Sequence, residues 1–296
     1  MDLKNTRERF LTIMSTKLYT ALEPAELNEL CEELMIYMKR GDVHLSEAQN
    51  MSLMEMLFYL NVYMSCDVNA KVIYNSLRDR LGERSAKLYV MNATLMQINE
   101  NDIVALKYLE KLINEEYEFD SDPASYGIIM KKILAIKFEL SKAGKLDKEN
   151  DILKESIDLV EKLPLDPELW WYLGETYYKA GQLDEAKYCF EEVVLIMPFN
   201  YVGFAKVAEV TYYKALQSKD KESLLDESLK NALRSVELSG LYLKGWSFVA
   251  VTSKALGNKQ EVLSLATNKI QEIQNVSNSR DKIAAEFIIK EMNLVK

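Results

Sequence analysis

The sequence predicts an all-α fold of stacked helical hairpins with a helical cap at each end, and three observations carry that prediction. Residues 167–200, PELWWYLGETYYKAGQLDEAKYCFEEVVLIMPFN, set large apolar, small and aromatic residues at fixed offsets over 34 positions. Looser copies of the pattern stand on both sides of that stretch. Strand signals are nearly absent: no Asn-Gly or Asp-Gly pair separates two alternating apolar runs.

The strongest unit has the spacing of a tetratricopeptide repeat, two helices and a turn. Trp170, Leu173, Gly174 and Tyr177 take the large-apolar, Leu, small and aromatic positions of its first helix. Ala186, Phe190 and Val193 take the packing positions of its second. Gly174 and Ala186 fall where the two backbones come closest, and a larger side chain there would force them apart. Gly181 is expected to end the first helix, because a residue without a Cβ adopts the left-handed cap conformation freely. Asp184 is expected to cap the second helix, with Glu185 in its first turn favoured by the helix dipole. Pro198 should stop that helix near Met197. One hairpin cannot bury its own apolar face. The unit therefore implies stacked neighbours, a superhelical tetratricopeptide-repeat (TPR) solenoid that works by binding.

Taken from the N-terminus, residues 6–40 read as one or two amphipathic helices split at Glu23-Pro24, within an N-terminal cap over 6–50. Degenerate repeats fill 51–164. Met54, Leu57 and Phe58 precede Ala70, Tyr74 and Leu77 at repeat spacing, with Gly82 near the closing position. Ala93 precedes Ala105, Leu109 and Leu112 in the next unit, and Pro123 to Pro164 is a longer variant with a loop near SKAGKLDKEN. The clearest repeats occupy 167–274. Tyr201 opens the second of these, with Phe204, Val207 and Ala208 on its first helix and Ser228, Ala232 and Ser235 at close-packing positions of its second. Between them an insertion at 217–223, QSKDKES, lengthens the unit by about two helical turns. From Leu243, Trp246, Val249, Ala250 and Gly257 repeat the pattern in order, followed by a second helix at 259–274. A polar turn, NVSNSRD, leads to a C-terminal capping helix at 281–296. The whole is five or six hairpin units in one array, a single domain over 1–296.

The 296 residues would suit about two ordinary domains, but a repeat array reaches this size as one body. At 48% hydrophobic and 28% charged, with ten glycines and five prolines, the chain can bury a large core and is not loop-rich. No apolar run reaches the 18 or so residues of a membrane span. The start, MDLKNTRERFLTIM, carries charges throughout, so no signal peptide is expected. Cys31, Cys66 and Cys189 are scattered, as in a reducing cytosol, and argue against a disulfide framework. A net charge of −9 disfavours nucleic acid and anionic lipid as primary ligands. Arg78, Arg80 and Arg84 are interrupted by Asp79 and Glu83 and read as a solvated, ion-paired helix face.

Chemistry is sparse. The single histidine, His44, sits in a polar turn, and no zinc-ligand spacing can be assembled around it. No GxSxG, GxGxxG or GxxxxGK[ST] element is present, so no enzyme, cofactor or metal is expected. Two sequons, Asn92-Ala-Thr94 and Asn275-Val-Ser277, read as chance matches without a secretory signal. Met51, Met54, Met56 and Met64 invite a client-binding groove, but core packing is the favoured reading because Met54, Leu57 and Phe58 fall on repeat positions. Repeats of this class bind peptides on the concave face of their first helices. Here that face would present Trp171, Glu175, Tyr178 and Lys179, then Val202, Ala205, Glu209 and Tyr212. Chaperone-binding members use Lys and Asn where this chain has Trp171 and Glu175. An acidic, aromatic groove would repel a terminal carboxylate. It favours a segment with apolar anchors and some basic residues.

Five strings point to a particular family: MEMLFY at 54–59, YNSLRDRLGE at 74–83, PLDPELWWY at 164–172, ALRSVELS at 232–239 and LYLKGW at 241–246. On these the chain resembles subunit two of the endoplasmic-reticulum (ER) membrane protein complex, in its fungal form, over nearly its whole length. The resemblance implies a soluble, non-catalytic scaffold, peripheral on the cytosolic face of the ER membrane. Its partners would be other subunits of that complex, chiefly cytosolic segments of the membrane-embedded ones, in a machine that inserts tail-anchored and multi-pass proteins. It implies no catalytic residues. A free cytosolic TPR adaptor or co-chaperone binding peptide tails is the competing expectation.

Overall fold

The computed structural model describes residues 3–20, 22–82, 84–145, 149–276 and 279–292. Fifteen α-helices and one short 3-10 turn make up these residues, with no strand among them. They fall into two compact units, 1–152 and 153–296.

The first unit opens with α1 (Leu3–Thr16), the 3-10 turn Leu18–Thr20 and α2 (Pro24–Arg40). Pro24 at the first helical position and a reciprocal Glu23–Glu26 capping box fix the start of α2, as the Glu23-Pro24 break predicts. Phe10, Leu30, Leu34 and Tyr37 form a buried cap core together with Leu53, Met56 and Leu60 of α3 (Glu47–Tyr63). Asp42 anchors the turn after α2, accepting from Tyr37 Oη at 2.8 Å and from Arg7 at 3.0 Å. The hairpin of α3 and α4 (Asp67–Leu81) closes at Gly82 with φ of 79°, and α5 (Ala86–Asn99) pairs with α6 (Asp102–Glu115). Ala70, Ala93, Ala105 and Leu109 are fully buried, as their repeat positions require. Met56 is core with Met64 packed against its cluster, and Met51 and Met54 pack against the neighbouring cluster of Phe58, Ala70 and Leu77. His44 is exposed in its turn, and Asn92 and Thr94 lie within α5. α7 (Pro123–Lys142) completes this unit and α8 (Glu149–Lys162) leads into the next. Glu83, Ser277, part of the SKAGKLDKEN loop and the last four residues of the expected capping helix lie outside the described residues.

The second unit stacks three hairpins: α9 (Pro167–Lys179) with α10 (Leu183–Ile196), α11 (Tyr201–Gln217) with α12 (Lys221–Leu238), and α13 (Leu243–Leu256) with α14 (Gln260–Val276). α15 (Ser279–Glu291) packs Ala285, Ile288 and Ile289 onto the last hairpin. Asp166 caps α9 by accepting from the amides of Glu168 and Leu169. Gly181 takes φ of 76° just past the C-cap, and α10 ends at Ile196 before Pro198. A Cβ on Gly174 would lie 3.0 Å from the Phe190 ring and 3.1 Å from Cys189 Cβ, the close approach its position predicts. Ser228 and Ser235 are buried between helices and donate to Ala208 O at 2.8 Å and Tyr201 O at 2.7 Å.

One expectation changes and one holds. Asp184 is not an N-cap: Gln182 holds that place without a side-chain bond, and Asp184 lies in the first turn, paired with Lys214. The tight turn at Gly181 starts the helix one residue before Asp184. The insertion at 217–223 lengthens the unit as expected: residues 218–220 connect the helices, and α11 and α12 are each four residues longer (17 against 13, 18 against 14) than α9 and α10. That adds about one turn to each helix.

Candidate partner-binding face

Helices α9, α11 and α13 are the first helices of the three hairpins, and one side of each contributes to a shared face. Glu175 and Tyr178 lie one turn apart on α9, as Lys206 and Glu209 do on α11. Lys206 Nζ sits 2.8 Å from Glu175 and 2.9 Å from Glu209, and 4.3 Å from the centre of the Tyr178 ring. Tyr178 Oη donates to Glu209 at 3.3 Å, and Lys244 of α13 reaches the same carboxylate at 2.7 Å. Aromatic rings continue the face: Tyr178 meets Tyr213 at 6.3 Å, and Tyr212 meets Phe248 edge-on at 6.1 Å.

The electrostatics follow from burial and pairing. Lys206 is only 7% exposed, and burial alone would push its ammonium down. The hydrogen bonds and charges of Glu175 and Glu209 outweigh that and hold it above the ordinary lysine value. Burial likewise pushes Glu209 up, but Lys244 and Lys206 together bring its carboxyl below the ordinary range. Tyr178 is raised, first by burial and then by the Glu209 charge. Two carboxylates and two ammonium groups therefore balance within one cluster. The local acidity expected of this face is cancelled, and with it the electrostatic objection to a carboxylate tail.

Of the eight residues singled out in the sequence, the structure brings Glu175, Tyr178, Glu209 and Tyr212 together. Trp171 turns onto Phe190, ring centres 5.2 Å apart, and joins the cluster of Ala186, Phe190, Val207 and Val210. Ala205 is wholly buried and offers no surface. Val202 is half-buried and Lys179 is exposed near the end of α9. Sequence reasoning missed Lys206, Lys244, Tyr213 and Phe248. A signal existed: Glu175–Lys206 and Tyr178–Glu209 share an offset of 31 residues, one repeat less one turn.

Nothing in this cluster is arranged as nucleophile and base, and among the described residues no group of three or more His, Cys, Asp or Glu could hold a metal. No helix of the described residues is long and apolar enough to cross a membrane.

Comparison with known proteins follows the same lines. The family model of the tetratricopeptide repeat matches residues 167–200. The C-terminal part of a TPR repeat-containing protein from Cytophaga hutchinsonii aligns with a TM-score of 0.52 at 11% identity, over 94% of this chain and 98% of that one. Pseudomonas aeruginosa pilF gives 0.52 at 13% identity over 80% and 97%. At such identities the likeness is one of fold alone. The TPR repeat protein oca3 of Schizosaccharomyces pombe is 25% identical over 220 residues, 74% of this chain and 69% of that protein. ER membrane protein complex subunit 2 of Saccharomyces cerevisiae is 50% identical over 290 residues, 97% of this chain and 98% of that protein. Half the residues thus agree across both chains nearly end to end, and the chain belongs to the ER membrane protein complex subunit 2 family.

Proposed function

We propose that this chain is the non-catalytic scaffold subunit of an ER membrane protein complex, peripheral on the cytosolic face of the membrane. It holds cytosolic segments of the membrane-embedded subunits and so supports insertion of tail-anchored and multi-pass proteins. The observation that carries this reading is the 50% identity to the yeast subunit over 97% of the chain. The face of α9, α11 and α13 supports it physically. A scaffold must present a surface already in its binding shape, because ordering that surface on binding would cost affinity. The Lys206 cluster supplies that order by tying the first helices of three successive hairpins at one point, with Tyr212, Tyr213 and Phe248 beside it as contact area. Attachment through partner chains fits a described structure with no membrane-spanning helix.

Fractionation tests the reading. The tagged chain should pellet with ER membranes, be released by alkaline carbonate, and co-purify with membrane-spanning subunits from detergent extracts. A largely soluble, monomeric pool would instead favour a free TPR adaptor.

A further inference from the structure

A second surface lies on another side of α9. Trp170, Leu173 and Tyr177 form a stripe at i, i+3 and i+7, well over a quarter turn around the helix from Glu175. Together with Val160 of α8 and Cys189 of α10 they enclose an apolar groove of about 460 Å³. Its aromatic wall is rigid. The Trp170 indole N–H donates to Pro164 O at 2.8 Å, and Tyr188 stands edge-on to Trp170 at 5.8 Å. Tyr188 nevertheless leaves 56% of its surface in water.

Its charge is one-sided. Glu161, Asp184 and Glu185 line it, and no Lys or Arg does among the described residues. Asp184 is held by Lys214, while Glu161 and Glu185 are exposed. A small-molecule pocket of this volume would be expected to offer converging donors that fix orientation. Two exposed carboxylates, Glu161 and Glu185, beside an apolar floor instead select by charge and apolar fit.

We propose that this groove is a second docking site, taking a partner-protein segment with one or two large apolar side chains flanked by Lys or Arg. The anchors would fill the space between Trp170 and Tyr188, the kind of rigid aromatic setting that dominates binding energy. The basic flanks would meet Glu161 and Glu185, setting choice of partner and association rate. The site does not depend on the scaffold reading of the α9–α11–α13 face.

The test uses the full chain in cells, with the photo-crosslinker benzoylphenylalanine in place of Tyr188 and, in a second strain, in place of Tyr213 on the other face. The position-188 adduct should contain a segment with large apolar residues beside Lys or Arg. The pair Glu161→Lys and Glu185→Lys, both at exposed positions, should cut its yield about tenfold and leave the position-213 adduct unchanged. The neutral pair Glu161→Gln and Glu185→Gln should give an intermediate yield, with melting temperatures verifying that both variants fold. No adduct at 188, an adduct with an acidic or uncharged segment, with lipid, or with a second copy of this chain would overturn the proposal. A yield indifferent to charge reversal would do the same. Loss of the 213 adduct alone would count against the scaffold reading and leave this one standing.

Discussion

Lys206 is the residue on which the face turns. A buried ammonium is costly unless paired, and here two carboxylates and the Tyr178 ring offset that cost. Lys206→Met should destabilise by roughly 2–3 kcal/mol, less than for a fully buried pair because Glu209 keeps Lys244. Urea unfolding would measure it, and a change under about 0.5 kcal/mol would place Lys206 among inconsequential surface pairs. The pH dependence has a definite sign. Glu209 is held below its ordinary value, so its contribution is present above the unfolded-state pKa and lost as pH falls through the folded one. Lys206 is held above its ordinary value, so its contribution is full below the unfolded-state pKa and lost as pH rises through the folded one. Glu209→Gln should therefore flatten the acid limb of a stability–pH curve; an unchanged limb would show that other carboxylates set it. Trp171 is the neighbouring case. Because it packs on Phe190, Trp171→Ala should cost roughly 2 kcal/mol, below the 3–5 of a fully buried tryptophan. An unchanged urea midpoint would return Trp171 to the binding surface. Neither residue's role was legible in the chain alone. Lys206 sits in FAKVAEV with Glu209 one turn on, but its second partner, Glu175, becomes visible only when two repeats are set in register, 31 residues apart.

At the scale of helices the sequence was more readable, because the signals are backbone constraints local to a few residues. Pro24, Pro123 and Pro167 each occupy a first helical position, and Gly41, Gly82, Gly181 and Gly257 each follow a helix end with positive φ. Asp184 misled because a carboxylate serves equally as an N-cap or in the first turn, and only the Gly181 turn decides between them. Close helix approaches are the elements' other constraint, and they can be tested against an internal control. Ala186 is fully buried, and Ala186→Leu should overpack the α9–α10 crossing at a cost of about 1–3 kcal/mol. Gly245→Ala gains helix propensity of up to about 1 kcal/mol. Its new Cβ meets Val236 at 2.8 Å and Ser235 Oγ at 2.9 Å, so the net change should still be destabilising. Gly240→Ala, with nothing within 4 Å, should be neutral or slightly stabilising. Equal melting temperatures for the two glycine variants would remove close approach as the reason for Gly245.

At the scale of the molecule, the question is how far a local defect spreads. In a repeat protein each hairpin gains its stability from itself and from its immediate neighbours, so an end cap protects chiefly the unit it covers. α15 tests this. Its Ala285 is wholly buried, and Ile288, Ile289 and Met292 pack onto a cluster that includes Val249, Ala266, Ile270 and Ile273. The first unit has cores of its own, built from α1 to α7 without any residue of that cluster. Deleting residues 279–296 would return these contacts to water at a cost on the order of 3 kcal/mol. That is about a hundredfold in the local opening equilibrium. Amide hydrogen exchange resolves where the loss falls. Protection should drop by about that factor through α13 and α14, more weakly in α11 and α12, and hardly at all from α1 to α7. A uniform rise from end to end would mean that the chain opens as one cooperative body, and the nearest-neighbour account of its stability would fail.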